Sequence, residues 1–202
     1  SSDPQEDIEH IFAARRALRN DVSLRMDANA AYSFMEALSI IRAMKNANLE
    51  IVEQPLPLWD YDGLAKLSNL VDIPIMADES LNTIQSALEL VKRQAVSIFD
   101  IKLEKNGGIH NARKIAAIAQ AANVSLYAGS NPGSSISAAA SVHFFSALPN
   151  VIGGDFNVGQ AKSLAADITQ KPLELKGVFA LVPEGKGIGI DLDEKKLAKY
   201  AV

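Results

Sequence analysis

The sequence predicts an α/β fold: a partial (β/α)8 barrel of the TIM type, with about six βα units and a C-terminal extension. Short apolar segments alternate with amphipathic ones, which is typical of a parallel sheet covered by helices. The short segments are almost continuously apolar, as expected for strands buried on both faces. A polar residue or a glycine recurs every 24 to 27 residues, at the end of each predicted strand. Barrel strand ends converge on one site, whereas an open sheet spreads them along an edge, so we favour the barrel.

Local capping patterns support the predicted helices. Asp3 can cap the first helix, and Pro4 suits its first turn. Ser33, followed three residues later by Glu36, forms a capping-box pattern at the start of the second helix. Gly107 opens a turn before the fifth helix. The six predicted helices cover residues 4–19, 33–47, 60–69, 82–93, 109–121 and 136–147.

Turn residues bound the predicted strands. Gln54 and Pro55 end the second strand, and a loop rich in Gly, Ser and Pro at 129–135 follows the fifth. The six predicted strands cover residues 23–27, 49–53, 73–78, 97–102, 124–127 and 151–155. A closed barrel needs eight strands, so we expect two βα units to be missing, most simply on the N-terminal side.

The pattern changes near residue 171. An extended segment is predicted at 173–180, a turn at 183–187 and a last helix at 193–200. We therefore predict a partial-barrel catalytic domain over residues 1–170 and a distinct C-terminal segment over residues 171–202.

Composition excludes several classes of function. The net charge is −4 without a basic block, so we expect neither a nucleic-acid partner nor an anionic membrane surface. The chain has no cysteine, which excludes disulfides and thiol chemistry. Its polar, acidic start is not a signal peptide, and no apolar run approaches the roughly 20 residues that span a bilayer. We expect a cytoplasmic protein.

Three carboxylates end three successive predicted strands: Asp27, Glu53 and Asp78. A single acid at such a position is more often a helix cap or the partner of a lysine. Three of them, one per βα unit, would repel one another strongly without a cation, and Mg²⁺ prefers hard oxygen ligands. The pattern therefore favours a divalent cation that binds a substrate carboxylate and stabilises an enolate formed beside it.

Lys102 ends the fourth predicted strand. A lysine beside a metal site can serve as a base, whereas the alternative interpretation is a surface lysine at a strand end. Asn106 shares the strand face of Lys102, and Asp100 shares it one layer deeper, while Lys105 points the other way. Only one of the two lysines should therefore enter the barrel mouth.

Five short strings resemble the enolase superfamily, in its muconate lactonizing enzyme (muconate cycloisomerase) subgroup. They are Arg-Met-Asp-Ala-Asn at 25–29, Val-Glu-Gln-Pro at 52–55, Ala-Asp-Glu-Ser at 77–80, Ile-Lys-Leu-Glu-Lys-Asn-Gly-Gly-Ile at 101–109 and Gly-Ile-Gly-Ile-Asp-Leu-Asp-Glu at 187–194. Each string alone is weak, but the order and barrel spacing of the first four make the set specific. The resemblance covers essentially the whole chain, as the C-terminal barrel domain of such an enzyme.

The resemblance implies a set of roles. Asp27, Glu53 and Asp78 would ligate Mg²⁺ or Mn²⁺, Lys102 would act as acid/base, and the substrate would be a small-molecule carboxylate. Residues 171–202 would pack back on the capping domain of the family. The residues that would contact substrate are Asn29, Gly129, Ser130, Asp155 and Asn157.

The chain also departs from the family pattern. The Lys-x-Lys motif of the second barrel strand and the N-terminal capping domain are expected to precede Ser1. Several muconate cycloisomerases carry a Glu in the loop that corresponds to 129–135, and this loop has no acid. The triplet Asp155-Phe156-Asn157 only half resembles the Asp-x-Asp of dipeptide epimerases, which counts mildly against that activity.

These observations predict a metal-dependent cycloisomerase of the muconate lactonizing type. The alternatives within the superfamily are o-succinylbenzoate synthesis, N-acylamino acid racemisation and dipeptide epimerisation. A different class of interpretation is a catalytically incomplete fragment, whose two unpaired sheet edges another chain or a second copy fills. We expect a homo-oligomer.

Overall fold

The structure, a computed structural model, describes residues 3–155 and 166–200. Its helices and strands alternate along the chain, and six strands that pair in parallel are each followed or preceded by a helix. The elements are α1 (Pro4–Ala17), β1 (Leu24–Asp27), α2 (Phe34–Ala43), a 3₁₀ turn (Met44–Ala47), β2 (Leu49–Glu53), α3 (Tyr61–Ser68), β3 (Ile75–Ala77), α4 (Ile84–Lys92), β4 (Ile98–Ile101), α5 (Ile109–Ala121), β5 (Ser125–Ala128), α6 (Ser135–Ser146), β6 (Val151–Gly154), β7 (Leu175–Lys176), β8 (Phe179–Ala180) and α7 (Glu194–Tyr200).

The chain divides into two compact units, which are described separately. Unit 1 contains the described residues up to Asp100 together with Ile118–Ser125. Unit 2 contains Ile101–Ala117 and the described residues from Leu126 onward. The helix α5 and the strands β4 and β5 each contribute residues to both units.

Unit 1 contains a parallel sheet in the order β1, β2, β3, β4. The 3₁₀ turn after α2 leads into β2 through Asn48, whose left-handed φ of 53° ends the turn. The short strand β3 follows Pro74, which lacks the N–H that a longer strand would need. Because the four strands are parallel, their carboxyl ends lie at one edge of this sheet.

The core of unit 1 lies between its sheet and its helices. The helices contribute apolar side chains at helical spacing, and the strands contribute apolar side chains on both faces. The bulkiest side chains with under 2 % exposure include Ile40, Met44, Ile51, Leu64, Leu67, Ile75, Met76, Leu90 and Phe99. This packing holds the strands, and with them the strand ends, in fixed positions.

Unit 2 contains the parallel pair β5–β6 and the C-terminal segment. Leu173 packs with Ala139 and Val142 of α6, and partly buried side chains including Ile188 and Ile190 lie against this cluster. The strands β7 and β8 form an antiparallel hairpin around Gly177, whose φ of 63° suits glycine. The predicted boundary between 1–170 and 171–202 stays a prediction.

Membrane-spanning helices were sought among residues 3–155 and 166–200. None of the helices there combines the length and the apolar character that crossing a bilayer requires.

Candidate metal centre

Three buried carboxylates converge in unit 1. Glu53 ends β2, Asp78 follows β3 and Asp100 lies in β4. One oxygen atom from each lies within 4.8 Å of the others, and all three side chains are buried. Two of the three predicted ligands are therefore neighbours, and the third member of this cluster is Asp100.

Strand register explains why Asp100 joins the cluster. Ala77 pairs with Phe99 across β3 and β4, so the next residues along the chain, Asp78 and Asp100, stand at the same level. The sequence placed Asp100 one layer below Lys102, but it did not reveal that this layer is the level of Asp78. The available signal was a carboxylate inside an apolar strand, where charged residues are rarely buried without a partner.

Asp27 lies beside Glu53. The two residues pair across β1 and β2, and paired residues of parallel strands direct their side chains to the same face. Asp27 is exposed, whereas Glu53 is 9 % exposed. The assignment of Asp27 as a metal ligand stays a prediction.

Asn29 holds the Asp27 carboxylate in place. The backbone N–H of Asn29 donates to Asp27 Oδ1 at 2.9 Å, and its side-chain amide donates to Asp27 Oδ2 at 2.8 Å. Asn29 has a φ of 43°, a left-handed conformation that Asn tolerates better than most residues. Asp27 and Asn29 also line a cavity of about 440 Å³ next to Tyr32. The substrate contact expected of Asn29 stays a prediction.

Glu79 connects this pair to the end of β3. Its Oε1 lies 3.5 Å from the Asn29 side-chain nitrogen, and its Oε2 is buried without a hydrogen-bond partner among the described residues. Burial raises the pKa of Glu79 above its usual 4.5, and the negative charges of Asp78 and Asp27 raise it further, against the opposing effect of hydrogen bonds. The loops after β1 and β3 therefore share one negatively charged region.

Lys102 belongs to unit 2. It follows β4 directly, and its side chain is half buried. Its backbone N–H donates to Asn106 Oδ1 at 3.1 Å, and its carbonyl accepts from the Asn106 N–H at 3.0 Å. Asn106 is 2 % exposed. This reciprocal pair fixes the backbone from which the Lys102 side chain projects.

The ends of β5 and β6 bring three predicted substrate-contacting residues together in unit 2. The Gly129 N–H donates to the Ile101 carbonyl at 3.1 Å, which keeps Gly129 in line with the sheet. The Ser130 hydroxyl lies 3.4 Å from the Asp155 carbonyl oxygen, and Asp155 is exposed. Asn157, the fifth predicted substrate residue, lies outside the described residues.

The chemistry of the donors fits a divalent cation. Glu53, Asp78 and Asp100 offer hard oxygen atoms at short separation in a buried setting, and Asp27 adds a fourth carboxylate beside Glu53. Like charges this close repel one another, and burial adds a desolvation cost to each charge. Mg²⁺ or Mn²⁺ would offset both effects, because such cations bind carboxylates at hard-oxygen sites.

Comparison with known proteins gives one family. Residues 1–196 match the family described as "Enolase C-terminal domain-like". A chloromuconate cycloisomerase from Cupriavidus necator is 37% identical over 197 residues, which is 98% of this chain and 53% of that protein. The chain thus spans about half the length of the curated relatives it matches.

Solved structures confirm the predicted fold class, an α/β partial (β/α)8 barrel. The crystal structure of 2-chloromuconate cycloisomerase from Rhodococcus opacus 1CP matches with a TM-score of 0.93 at 33% identity, over 99% of this chain and 54% of that chain. The L-Ala-D/L-Glu epimerase from Bacillus subtilis matches with a TM-score of 0.88 at 34% identity, over 93% of this chain and 52% of that one.

Proposed function

Because the chain belongs to the enolase C-terminal domain-like family, we propose that it carries the metal site of a cycloisomerase of the muconate lactonizing type. The observation that carries the proposal is the convergence of Glu53, Asp78 and Asp100 in a protein similar to chloromuconate cycloisomerases. A buried carboxylate cluster at strand ends is costly to stability, so its presence favours a functional role.

We assign Asp27, Glu53 and Asp78 as the ligands of Mg²⁺ or Mn²⁺. The register pairs Asp27 with Glu53, and the cluster joins Glu53 to Asp78, so each assigned ligand has another as its neighbour. When bound, the cation would hold a substrate carboxylate and neutralise the enolate-like charge that develops next to it. Asp100 lies in β4 and adds negative charge to this region.

We assign proton transfer to Lys102, as the resemblance to the family implies. The Lys102–Asn106 backbone pair supports the assignment, because it restricts the directions in which the ammonium group can reach. Proton transfer requires a group held within hydrogen-bond reach of the carbon acid or its leaving proton. Gly129, Ser130 and Asp155 would contact the substrate where β5 and β6 end.

The main alternative is an epimerase or racemase of the same superfamily. The observation that favours it is the similarity to the Bacillus subtilis L-Ala-D/L-Glu epimerase, whose identity of 34% is close to the 33% of the 2-chloromuconate cycloisomerase structure from Rhodococcus opacus 1CP. Both reactions place charge next to a carboxylate, so the same metal ligands and the same lysine would serve either one. The o-succinylbenzoate synthase and N-acylamino acid racemase activities belong to the same group of alternatives.

A substrate comparison tests the proposal. The full-length protein with Mg²⁺ would be assayed for loss of cis,cis-muconate absorbance, and in parallel for epimerisation of L-Ala-L-Glu by deuterium incorporation. We expect muconate turnover that stops on chelation of the metal and in Lys102→Met, with Lys105→Met as the matched control that keeps activity. Epimerisation of the dipeptide without muconate turnover would contradict the cycloisomerase assignment and favour the alternative.

A further inference from the structure

We infer that Gln54 is a positioning residue of the metal site, an inference that rests on the function proposed above. Gln54 follows Glu53 directly and is fully buried, at 0% exposure. Its φ of 34° lies in the left-handed region, which a glutamine rarely adopts. Strain of this kind persists only where surrounding contacts hold it, and it is concentrated at functional sites.

The side chain of Gln54 uses its whole hydrogen-bonding capacity at the ends of β2 and β3. Its Oε1 accepts from the backbone N–H of Asp78 at 3.0 Å and from that of Ser80 at 3.1 Å. Its Nε2 donates to the Leu56 carbonyl and to Ser80 Oγ, each at 2.8 Å. An amide has one oxygen with two lone pairs and two N–H groups, so all four positions are filled.

The backbone of Gln54 reaches two neighbouring strand ends. Its N–H donates to the Met76 carbonyl at 2.9 Å, and its carbonyl accepts from the Ala30 N–H at 2.8 Å. Ala30 lies in the loop that follows Asp27 and contains Asn29. Gln54 therefore links the carboxyl ends of β1, β2 and β3, and one assigned ligand lies at each of these ends.

These contacts take the place of strand-to-strand hydrogen bonds where β3 ends. β3 ends at Ala77, so the Asp78 N–H has lost its strand partner, and the Gln54 side chain takes that place. The hydrogen bond fixes the backbone of Asp78 relative to the strand that carries Glu53. A side chain in this position sets the separation of two ligands without touching the cation itself, and residues that orient ligands affect metal affinity.

The test compares Mg²⁺ affinity by isothermal titration in the full-length protein. Gln54→Met keeps the length and burial of the side chain and removes all four hydrogen bonds. We expect its dissociation constant for Mg²⁺ to rise by about ten-fold or more. Gln54→Glu keeps an oxygen that accepts from the N–H groups of Asp78 and Ser80 but loses the two N–H donors, so we expect its affinity to lie between those of Gln54→Met and the wild type.

Ser68→Ala is the matched control. The Ser68 hydroxyl donates to the Ala95 carbonyl at 2.6 Å, and both residues lie outside the strand ends that carry the ligands. This variant should lose stability and keep its Mg²⁺ affinity, which separates positioning from a general loss of stability. If Gln54→Met does not fold, Ser80→Ala replaces it, because it removes one Gln54 contact and should weaken Mg²⁺ binding measurably.

Wild-type affinity in the folded Gln54→Met protein, or in Ser80→Ala where that variant is used, would overturn the inference. Equal loss in Gln54→Met and Gln54→Glu would also overturn it, because the accepting oxygen would then have no role. Absence of Mg²⁺ binding by the wild type would overturn the proposed function together with this inference. The first two outcomes would leave the proposed function standing.

Discussion

At the scale of single residues, Asn29 sets the direction of the Asp27 carboxylate. Its backbone and side-chain N–H groups bind the two oxygens of Asp27, one each. Hydrogen bonds to an ionised carboxylate are roughly twice as strong as neutral ones, and two of them restrict rotation of the group. The remaining lone pairs of Asp27 then point in a fixed direction, as a ligand of a small cation requires.

Asn29→Gly should weaken Mg²⁺ binding by several-fold, up to about ten-fold. Glycine accepts the left-handed φ at this position, so the substitution removes the side-chain contact without adding backbone strain. Asn48→Gly is the matched control, since Asn48 is exposed and has a φ of 53°. Isothermal titration measures the Mg²⁺ affinity of both variants. Equal Mg²⁺ affinities in Asn29→Gly and Asn48→Gly would show that Asn29 does not support the site.

Tyr32 gives a prediction about pH. Its hydroxyl donates to Asp7 Oδ2 at 2.6 Å, and burial, followed by this hydrogen bond, raises the pKa of Tyr32 above its ordinary 10.0. A raised pKa means that the stabilisation is fully present below pH 10 and is lost as the pH rises from there towards the folded-state value. The contact therefore ties α1 to the loop after β1 most strongly at neutral pH.

Tyr32→Phe should lower the free energy of unfolding by about 1.5–3 kcal/mol at pH 8, the usual contribution of a hydrogen bond to a charged group. The difference from wild type should shrink at pH 11, because the unfolded wild-type chain loses its phenolic proton there and the folded chain keeps it. Urea unfolding at the two pH values measures both quantities. If the difference in free energy of unfolding stays constant with pH, folding does not raise the pKa of Tyr32.

At the scale of elements, a carboxylate from outside α6 caps the N-terminus of this helix. Ser134 makes no side-chain cap, and Asp167 accepts instead from the Ser135 N–H at 3.2 Å and from the Ser135 hydroxyl. The Ser135 hydroxyl oxygen accepts in turn from the Leu173 N–H at 2.9 Å. A negative charge at a helix N-terminus satisfies free N–H groups and favours the helix dipole.

Asp167→Ala should lower the free energy of unfolding by about 1–2 kcal/mol, because it removes a helix cap and leaves Ser135, which is 2 % exposed, with fewer partners. Asp72→Ala is a suitable control, since Asp72 forms an exposed pair with Lys45 that should contribute less than about 1 kcal/mol. Chemical denaturation of both variants measures the difference. Similar losses at the two positions would argue against the capping role.

The sequence predicted most elements because caps and turn residues are local signals. The Ser33–Glu36 capping box is present, and β2 and α5 have their predicted bounds. The helix predicted at 33–47 is instead α2 followed by a 3₁₀ turn. The strand predicted at 73–78 is shorter, because a side chain rather than a strand binds the Asp78 N–H.

The site was predicted only in part, because convergence depends on register. The period of about 25 residues located Asp27, Glu53 and Asp78 at successive strand ends, and the structure pairs the first two. Asp100 required knowledge of the alignment of β3 with β4, which no local pattern contains. Gln54 resembled a simple strand stop before Pro55, since its role comes from residues 24 and 26 positions away in the chain.

At the scale of the whole molecule, stability and function make opposite demands on the strand ends of unit 1. The apolar core holds β1 to β4 together, while the carboxylates at their ends repel one another. A cation that binds the folded chain more tightly than the unfolded one stabilises the fold by mass action. A cation at the proposed site would therefore stabilise the folded chain as well as serve the reaction.

The most direct test of the central claim is Mg²⁺ titration calorimetry on the wild type and on Glu53→Gln. The substitution preserves shape and removes one charge from the site, so we expect the dissociation constant to rise by about ten-fold or more. Without Mg²⁺, Glu53→Gln should be at least as stable as the wild type in urea, because one of three mutually repelling acids is gone. Equal Mg²⁺ affinity in the two proteins would show that Glu53 is not a ligand and would contradict the account.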